Sequence, residues 1–202
     1  MNEFDKWRSN YDTMTIGEQI AYHNELEAKY PEQNHFNYER VKEALSVVQE
    51  NVIDIFYPTV LEFGTWKGDL ALKAFEDFKI HDWIGIEICE AAIRNTKCAR
   101  IKYVIPDRFD WFKEKRLGNP DIVIATHFIE HLSNEHFKDL ANYIKGIRYV
   151  HFESPLTDGG NDWEGYEGTH KLTLGWNQIN EIMAANGFKL IINHPESKTY
   201  ES

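Results

Sequence analysis

The sequence predicts an α/β fold, a three-layer sandwich in which helices cover a mostly parallel, doubly wound sheet. One observation is a short apolar run, Val60-Leu61-Glu62-Phe63, that ends in a turn with two glycines, Gly64 and Gly68. Apolar residues at helical spacing follow this turn. The other observation is that strand-like and helix-like segments then alternate along the chain. Such alternation is typical of a parallel sheet with helices on both faces.

Residues 1–57 are predicted to form a helical extension before the first strand. Thr15 and Glu18 have the spacing of a capping box, which predicts a helix from Ile16 to Lys29. A second helix is predicted from Tyr38 to Glu50, because apolar residues recur there on one helical face. We expect this second helix to pack on the sheet.

Residues 58–202 are predicted to form one domain. After the first strand, the predicted strands are Asp82 to Glu87, Ile101 to Ile105, Ile122 to Ala125, Tyr149 to Phe152 and Phe188 to Ile192. The predicted helices are Glu90 to Lys97, a helix capped by Ser133 that carries Phe137, Leu140, Ala141 and Ile144 on its apolar face, and Asn177 to Ala185. The tail from Thr199 to Ser202 is predicted to add a last strand at the edge of the sheet.

The glycine turn has features that favour ligand binding. Gly64 can take a positive φ and lets the backbone approach a bound molecule, while a helix that starts near Gly68 points unpaired N–H groups at the same place. A dinucleotide-binding turn would have a glycine where Trp66 stands. The turn therefore predicts a site for a polar or charged small molecule that is not a pyrophosphate.

The turn, Glu62-Phe63-Gly64-Thr65-Trp66-Lys67-Gly68, resembles the glycine motif of class I S-adenosylmethionine-dependent methyltransferases of the small-molecule type. Three further segments resemble the next strands of that family in order: Ile84-Gly85-Ile86-Glu87, Tyr103 to Asp107, and Asp121 to Leu132 with its Glu-His-Leu run. The resemblance implies a seven-stranded sheet. It also implies methyl transfer from S-adenosyl-L-methionine, with S-adenosyl-L-homocysteine as product, to an oxygen or nitrogen atom of a small molecule.

The resemblance places the cofactor contacts on Glu62, Phe63, Gly64, Thr65, Trp66, Gly68, Glu87, Ile88, Asp107, Arg108, Thr126 and His127. Glu87 would hold the ribose hydroxyls, for which a carboxylate is a suitable bidentate partner. Glu62 would contact the positively charged methionine end, accept N–H bonds from the glycine turn, or do both. Asp107 would lie near the adenine, or else form a turn. The Trp66 ring would contact the sulfonium or pack in the core.

The resemblance implies that His127 faces the methyl-transfer site and that His170 matches a histidine common in related small-molecule enzymes, so these two are the predicted catalytic residues. A neutral histidine can take a proton from a hydroxyl or amine. The alternative for each is a polar group satisfied within the loops, and we expect His131 to belong to the scaffold. His127-Phe128-Ile129-Glu130-His131 also matches the His-x-x-Glu-His pattern of inverted zinc peptidases, which requires a continuous helix. Because the segment follows a predicted strand, we expect no metal, and a zinc hydrolase using His127, Glu130 and His131 is the weaker alternative.

Residues 153–176 form a long glycine-rich segment at the carboxyl end of a predicted strand, where open α/β sheets bind ligands. Its candidate substrate-binding residues are Asn161, Trp163, Tyr166 and His170. Their mixture of aromatic faces and polar edges suits a sugar or a related metabolite, and a passive connection is the alternative. Residues 1–57 would then either contribute to a lid over the site or only cover the sheet.

The composition limits the classes of molecule that the protein is expected to bind. The net charge is -11 and no basic cluster stands out, which argues against nucleic acid. No apolar run approaches membrane-spanning length, and the two cysteines form no Cys-x-x-Cys pair. We expect a cytoplasmic protein, a monomer or homodimer, that acts on a small molecule. A catalytically silent protein of the same fold that binds the cofactor or a partner is a further alternative.

Overall fold

The computed structural model describes residues 15–29, 37–51, 57–105, 118–161 and 170–202. In these parts of the chain, seven strands form one sheet in the order β3-β2-β1-β4-β5-β7-β6. The strands are β1 (Thr59–Phe63), β2 (Asp82–Ile86), β3 (Ile101–Val104), β4 (Ile122–Thr126), β5 (Tyr149–Glu153), β6 (Lys189–His194) and β7 (Ser197–Glu201). Strands β1 to β5 are parallel, and β7 is antiparallel to both of its neighbours. The predicted seven-stranded, mostly parallel sheet is confirmed.

The described helices are α1 (Ile16–Lys29), α2 (Tyr38–Asn51), α3 (Asp69–Asp77), α4 (Glu90–Arg94), α5 (Asn134–Tyr143) and α6 (Trp176–Ala185), with a single 3₁₀ turn at Ile129–His131. Ser133 caps α5 as predicted, because its hydroxyl accepts the N–H of His136 at 3.1 Å. The capping box of α1 is also present, since the Glu18 carboxylate accepts the N–H of Thr15 at 2.7 Å. None of the helices in the described ranges is long and apolar enough to cross a membrane.

Two hydrophobic clusters lie on opposite faces of the sheet, because successive side chains of a strand point to opposite faces. Leu61 and Val123 belong to one cluster, whereas their neighbours Val60 and Ile122 belong to the other. The first cluster also contains the apolar faces of α5 and α6, and the second those of α2 and α3. Helices therefore cover both faces, which gives the three layers that the sequence predicts.

The structure corrects the position of the last strand. We expected the tail to pair at the edge, but β7 lies between β5 and β6, and β6 is the edge strand. Pro195 and Glu196 form the turn of a β6–β7 hairpin. The residues from Ser197 to Tyr200 are all buried, as expected for a strand with neighbours on both sides, while Lys189 and Asn193 of β6 are exposed.

Candidate functional site

The carboxyl ends of β1, β2 and β4 meet at one edge of the sheet. Phe63, the last residue of β1, pairs with Ile86 of β2 and Ala125 of β4. Residues that follow these strands are therefore neighbours. We call Glu62 to Gly68 together with Glu87 the glycine-turn site. We call the group formed by His127, Glu130, His131 and His170 the histidine corner.

The glycine turn is tightly wound. Gly64, Trp66 and Gly68 all have positive φ, at 73°, 51° and 77°. At Gly68 the φ of 77° favours glycine, and a Cβ there would lie 2.3 Å from Cδ1 of Ile101, so a side chain would also require Ile101 to move. A left-handed conformation is unfavourable for tryptophan, and the hydrogen bond from the Trp66 N–H to Oε2 of Glu87, at 2.7 Å, holds it in place.

Glu87 lies just beyond β2 and faces this turn. Its Oε2 accepts the N–H of Trp66, and its Oε1 accepts the N–H of Cys89 at 2.7 Å. Burial raises the pKa of Glu87, against the opposing effect of N–H bonds from Cys89, Trp66 and Ile88. A carboxylate has about four acceptor positions, so at least one remains for a ribose hydroxyl. The side chain therefore fits the predicted ribose contact.

The structure separates the two roles considered for Glu62. Its buried carboxylate accepts the indole N–H of Trp83 at 2.8 Å, whereas the turn amide of Trp66 is bound by Glu87. The expectation that Glu62 caps the turn is thus corrected, because the backbone at Trp66 directs its N–H toward β2. Burial raises the pKa of Glu62 to about 8, and the nearby charge of Glu87 adds to this effect.

Trp66 offers a donor for a ligand. Its indole nitrogen is buried, and within the described residues no hydrogen-bond partner lies near it. A buried N–H without a partner is costly, and an acceptor on a bound molecule would satisfy it. Together with the free acceptor position of Glu87, this donor shows that the glycine-turn site fits a polar ligand such as S-adenosylmethionine.

The remaining predicted cofactor residues lie around this centre. Phe63 and Thr65 are buried beside the turn, Thr126 is buried at the end of β4, and Ile88 is half-buried. Phe128, which the sequence did not single out, approaches Gly64: a Cβ there would lie 3.5 Å from Phe128. Asp107 and Arg108, predicted near the adenine, are outside the described residues.

Helix α1 is attached directly to the glycine turn. Lys67 of the turn forms a 2.7 Å ion pair with Glu27 of α1, and the two side chains are only 8% and 5% exposed. The side chain of Asn24 also accepts the N–H of Ala91 in α4 at 2.9 Å. Sequence reasoning missed this ion pair, because no local pattern connects charges so far apart in the chain.

His127 begins the histidine corner, directly after β4. Its φ is 48°, and its N–H donates to the carbonyl of Glu153 at 2.8 Å. Its Nδ1 lies 3.2 Å from Oε1 of Glu130. Burial lowers the pKa of His127, but the hydrogen bond and charge of Glu130 outweigh this effect and hold the pKa above its ordinary value.

Glu130 is the buried carboxylate of the histidine corner. Burial raises its pKa, but His127 and His131 outweigh burial and hold the pKa below its ordinary value. Its second oxygen, Oε2, accepts the hydroxyl of Ser154 at 2.8 Å. The sequence pointed to Glu130 through the Glu-His-Leu run and the zinc-peptidase pattern, but assigned it no role in the proposed site, and Ser154 was not predicted.

His131 and His170 lie side by side although 39 positions separate them in the sequence (170 − 131). Their rings are 4.9 Å apart in an edge-to-face arrangement. The backbone N–H groups of Lys171 and Leu172 both donate to the carbonyl of Glu130, at 2.8 and 3.2 Å, which places His170 against the 3₁₀ turn. His131, expected to belong to the scaffold, lies in this 3₁₀ turn beside His170, and α5 begins only after its cap at Ser133.

The zinc-peptidase geometry is not present. That pattern requires a continuous helix from His127 to His131. In the structure, His127 directly follows strand β4, and the only helical element in this described segment is the 3₁₀ turn Ile129–His131. The two histidines of the pattern therefore do not occupy successive turns of one helix face.

Asn161, a predicted substrate-binding residue, makes two hydrogen bonds within the long segment after β5. Its side-chain oxygen accepts the N–H of Thr157 at 2.7 Å, and its side-chain nitrogen donates to the carbonyl of Leu174 at 2.7 Å. These bonds join the two ends of the long segment after β5. Trp163 and Tyr166 are outside the described residues.

No protein-family model and no curated protein matches this sequence. Solved structures do match, and their fold defines the class: the chain has the fold of class I S-adenosylmethionine-dependent methyltransferases. Human N-acetylserotonin methyltransferase in complex with S-adenosylmethionine is 13% identical, with a TM-score of 0.64 over 93% of this chain and 56% of that chain. The present chain thus spans little more than half of that protein.

Two other structures match over most of both chains. The Burkholderia thailandensis 1,6-didemethyltoxoflavin-N1-methyltransferase, with 1,6-didemethyltoxoflavin and S-adenosylhomocysteine bound, has a TM-score of 0.62 and 10% identity over 93% of this chain and 86% of that one. A S-adenosylmethionine-dependent methyltransferase from Archaeoglobus fulgidus has a TM-score of 0.59 and 17% identity over 90% of this chain and all of that one.

Proposed function

We propose that the protein is a methyltransferase that moves a methyl group from S-adenosylmethionine to an oxygen or nitrogen atom of a small polar molecule, a sugar or a related metabolite. This proposal rests on one observation: the glycine-turn site and the His127–Glu130 pair lie at the same edge of a methyltransferase-type sheet. Such an edge is where open α/β sheets bind ligands.

The glycine-turn site would hold the cofactor, which when bound supplies a methyl group on a positively charged sulfur. Glu87 would accept a ribose hydroxyl, and the Trp66 indole N–H would donate to an acceptor on the cofactor. Glu62 would lie toward the cationic methionine end. Asp107 and Arg108 are proposed for the adenine, and Phe63, Gly64, Thr65, Gly68, Ile88, Thr126 and His127 for the pocket wall.

The histidine corner would hold the acceptor. With Nδ1 of His127 directed at Glu130, Nε2 would take the acceptor's proton, as in other carboxylate-supported histidine bases. The main contribution of the protein would be to align acceptor and methyl group for in-line displacement. Trp163, Tyr166 and His170 are proposed to contact the acceptor.

Cofactor binding is tested by calorimetric titration with S-adenosylmethionine and S-adenosylhomocysteine. Glu87→Gln keeps the shape of the side chain and one carbonyl acceptor but removes the charge, and we expect at least a tenfold loss of affinity. Glu90→Gln, an exposed change three positions away, is the matched control. Absence of binding by the wild-type protein would overturn the proposal.

Methyl transfer is tested by incubating the protein with radiolabelled S-adenosylmethionine and panels of sugars, other hydroxyl compounds and amines. His127→Gln should lower kcat by about a hundredfold or more, the usual contribution of a general base, with unchanged cofactor affinity. His81→Gln, a histidine that is 66% exposed, is the control. Tight cofactor binding without methylation of any acceptor or cell extract would favour the catalytically silent alternative.

A further inference from the structure

We propose that Glu130, His131 and His170 form a binding site for one divalent first-row transition-metal ion. Each of the three residues offers one ligand atom, and these atoms all lie within 4.8 Å of one another. The proposal concerns metal binding alone and stands whether or not the chain transfers methyl groups.

The ligand types suit such an ion. Two imidazoles and one carboxylate are a ligand set that proteins use for catalytic zinc and for other first-row metals, with a position left open for water or substrate. Metal–ligand bonds in these sites are about 2.0–2.2 Å long, so ligand atoms around a tetrahedral ion are about 3.5 Å apart. Since the ligand atoms here lie within 4.8 Å of one another, the side chains need to close by at most about 1.3 Å.

The backbone already holds the three residues together. Glu130 and His131 share the 3₁₀ turn, and Lys171 and Leu172 donate to the carbonyl of Glu130, which fixes the residue next to them, His170. A second connection lies close by: Asn134 and Thr173 exchange two hydrogen bonds, at 2.8 and 3.1 Å. The ligands therefore come from two segments that these hydrogen bonds join.

Glu130 is also oriented by its neighbours. Ser154, which is fully buried, donates to Oε2 at 2.8 Å, and Nδ1 of His127 lies 3.2 Å from Oε1. Such outer partners fix the direction of a metal-binding carboxylate. A carboxylate has about four acceptor positions, so Glu130 can bind a metal without losing either neighbour.

The site explains why the His-x-x-Glu-His pattern is present without the peptidase helix. In the peptidase arrangement the two histidines of the pattern bind the metal. Here the second of them, His131, joins the preceding Glu130 and the distant His170, while His127 contacts Glu130 from outside the cluster. The prediction of no metal, made from the missing helix, is therefore revised by this proposal.

The test is titration of chelator-treated, tag-free full-length protein with Co²⁺, followed by visible absorption, and with Zn²⁺, followed by calorimetry. We expect saturation at one ion per chain and little competition from a large excess of Mg²⁺, since imidazole ligands disfavour that ion. His131→Gln and His170→Gln should each weaken binding at least tenfold, and Ser154→Ala should weaken it less.

His81→Gln serves as the matched control, because it removes an exposed histidine and should leave binding unchanged. Thermal melts of the metal-free variants show whether each variant is folded. If a histidine variant is unfolded, Glu130→Gln is titrated in its place. No saturable Co²⁺ or Zn²⁺ binding by the wild-type protein would overturn the proposal. Equal binding by the folded ligand variants and the wild type would also overturn it.

Discussion

Glu62 of the glycine-turn site and Glu130 of the histidine corner are carboxylates on or just after neighbouring strands, and each is only 1% exposed. Their pKa values nevertheless shift in opposite directions. Burial dominates at Glu62 and raises its pKa to about 8, because its hydrogen-bond donor, the Trp83 indole, is neutral and the charge of Glu87 also raises the pKa. At Glu130, burial acts in the same direction but is outweighed by His127 and His131.

The comparison shows that, when two carboxylates are equally buried, their partners decide whether burial or neighbouring charge sets the pKa. The raised pKa of Glu62 favours the neutral acid, and a cation bound beside it would lower that pKa. Glu130 is an anion already compensated by histidines. A sulfonium or ammonium group suits the first environment, and a metal ion or a proton-accepting histidine suits the second.

The largest expected effect is a pH-dependent loss of stability caused by Glu62. Between pH 4.5 and about 8 the folded state holds a proton on Glu62 that the unfolded state has lost. Stability therefore falls as pH rises through this window, by about 1.4 kcal/mol per pH unit, and the loss is complete above the folded pKa. Urea unfolding from about pH 5 to pH 8 should show that Glu62→Gln removes this slope. Parallel pH profiles for the variant and the wild type would contradict the assignment.

The next effect concerns Glu27, a third buried carboxylate, whose partner is a fixed cation. Lys67→Met leaves Glu27 buried without its counter-charge, and we expect a loss of about 3 kcal/mol in the free energy of unfolding. The double variant Lys67→Met/Glu27→Leu should recover most of this loss. As a control, Arg94→Met at the exposed Arg94–Glu90 pair should cost less than about 0.5 kcal/mol. Equal losses at the two pairs would show that α1 does not bury the Lys67–Glu27 pair.

Much of the fold could be predicted from sequence because its signals are local. The apolar run before Gly64 and the cap at Ser133 each encode their element within a few residues. The place of β7 could not be predicted, because a strand's neighbours depend on which partners its buried side chains meet. The sequence from Ser197 to Tyr200 has no pattern of polar and apolar residues that would distinguish a central strand from an edge strand.

Prediction of the candidate site from sequence succeeded and failed for the same reason. Glu62, Glu87 and His127 could be predicted because each lies on or just after a strand of the sheet, and parallel strands end together. That Glu87 and not Glu62 accepts the Trp66 N–H depends on the positive φ of Trp66, which an aromatic residue rarely adopts. The approach of His131 to His170 depends on backbone bonds across a long separation, for which no periodic signal exists.

A smaller effect is expected at Glu130 itself. Glu130→Gln keeps the size of the side chain but replaces the charged acceptor of His127 with a neutral one, so we expect a loss of about 2 kcal/mol. Urea unfolding of this variant, of His127→Gln and of the double variant gives the coupling between the two side chains. Additive losses would mean that the His127–Glu130 contact contributes nothing to stability, and the contrast with Glu62 would then rest on His131 alone.

The smallest effect separates hydrogen bonding from charge. Ser154→Ala removes the neutral donor to Oε2 of Glu130 and leaves both histidines in place, so the loss in the free energy of unfolding should be about 1 kcal/mol. In the background of Glu130→Gln the same change should cost less, because the amide is a weaker acceptor than the carboxylate. Ser46→Ala, which removes a hydroxyl bonded only to a helical carbonyl, should cost the same in both backgrounds. If Ser154→Ala also costs the same in both, the hydroxyl does not respond to the charge of Glu130, and the histidines alone keep that carboxylate ionised.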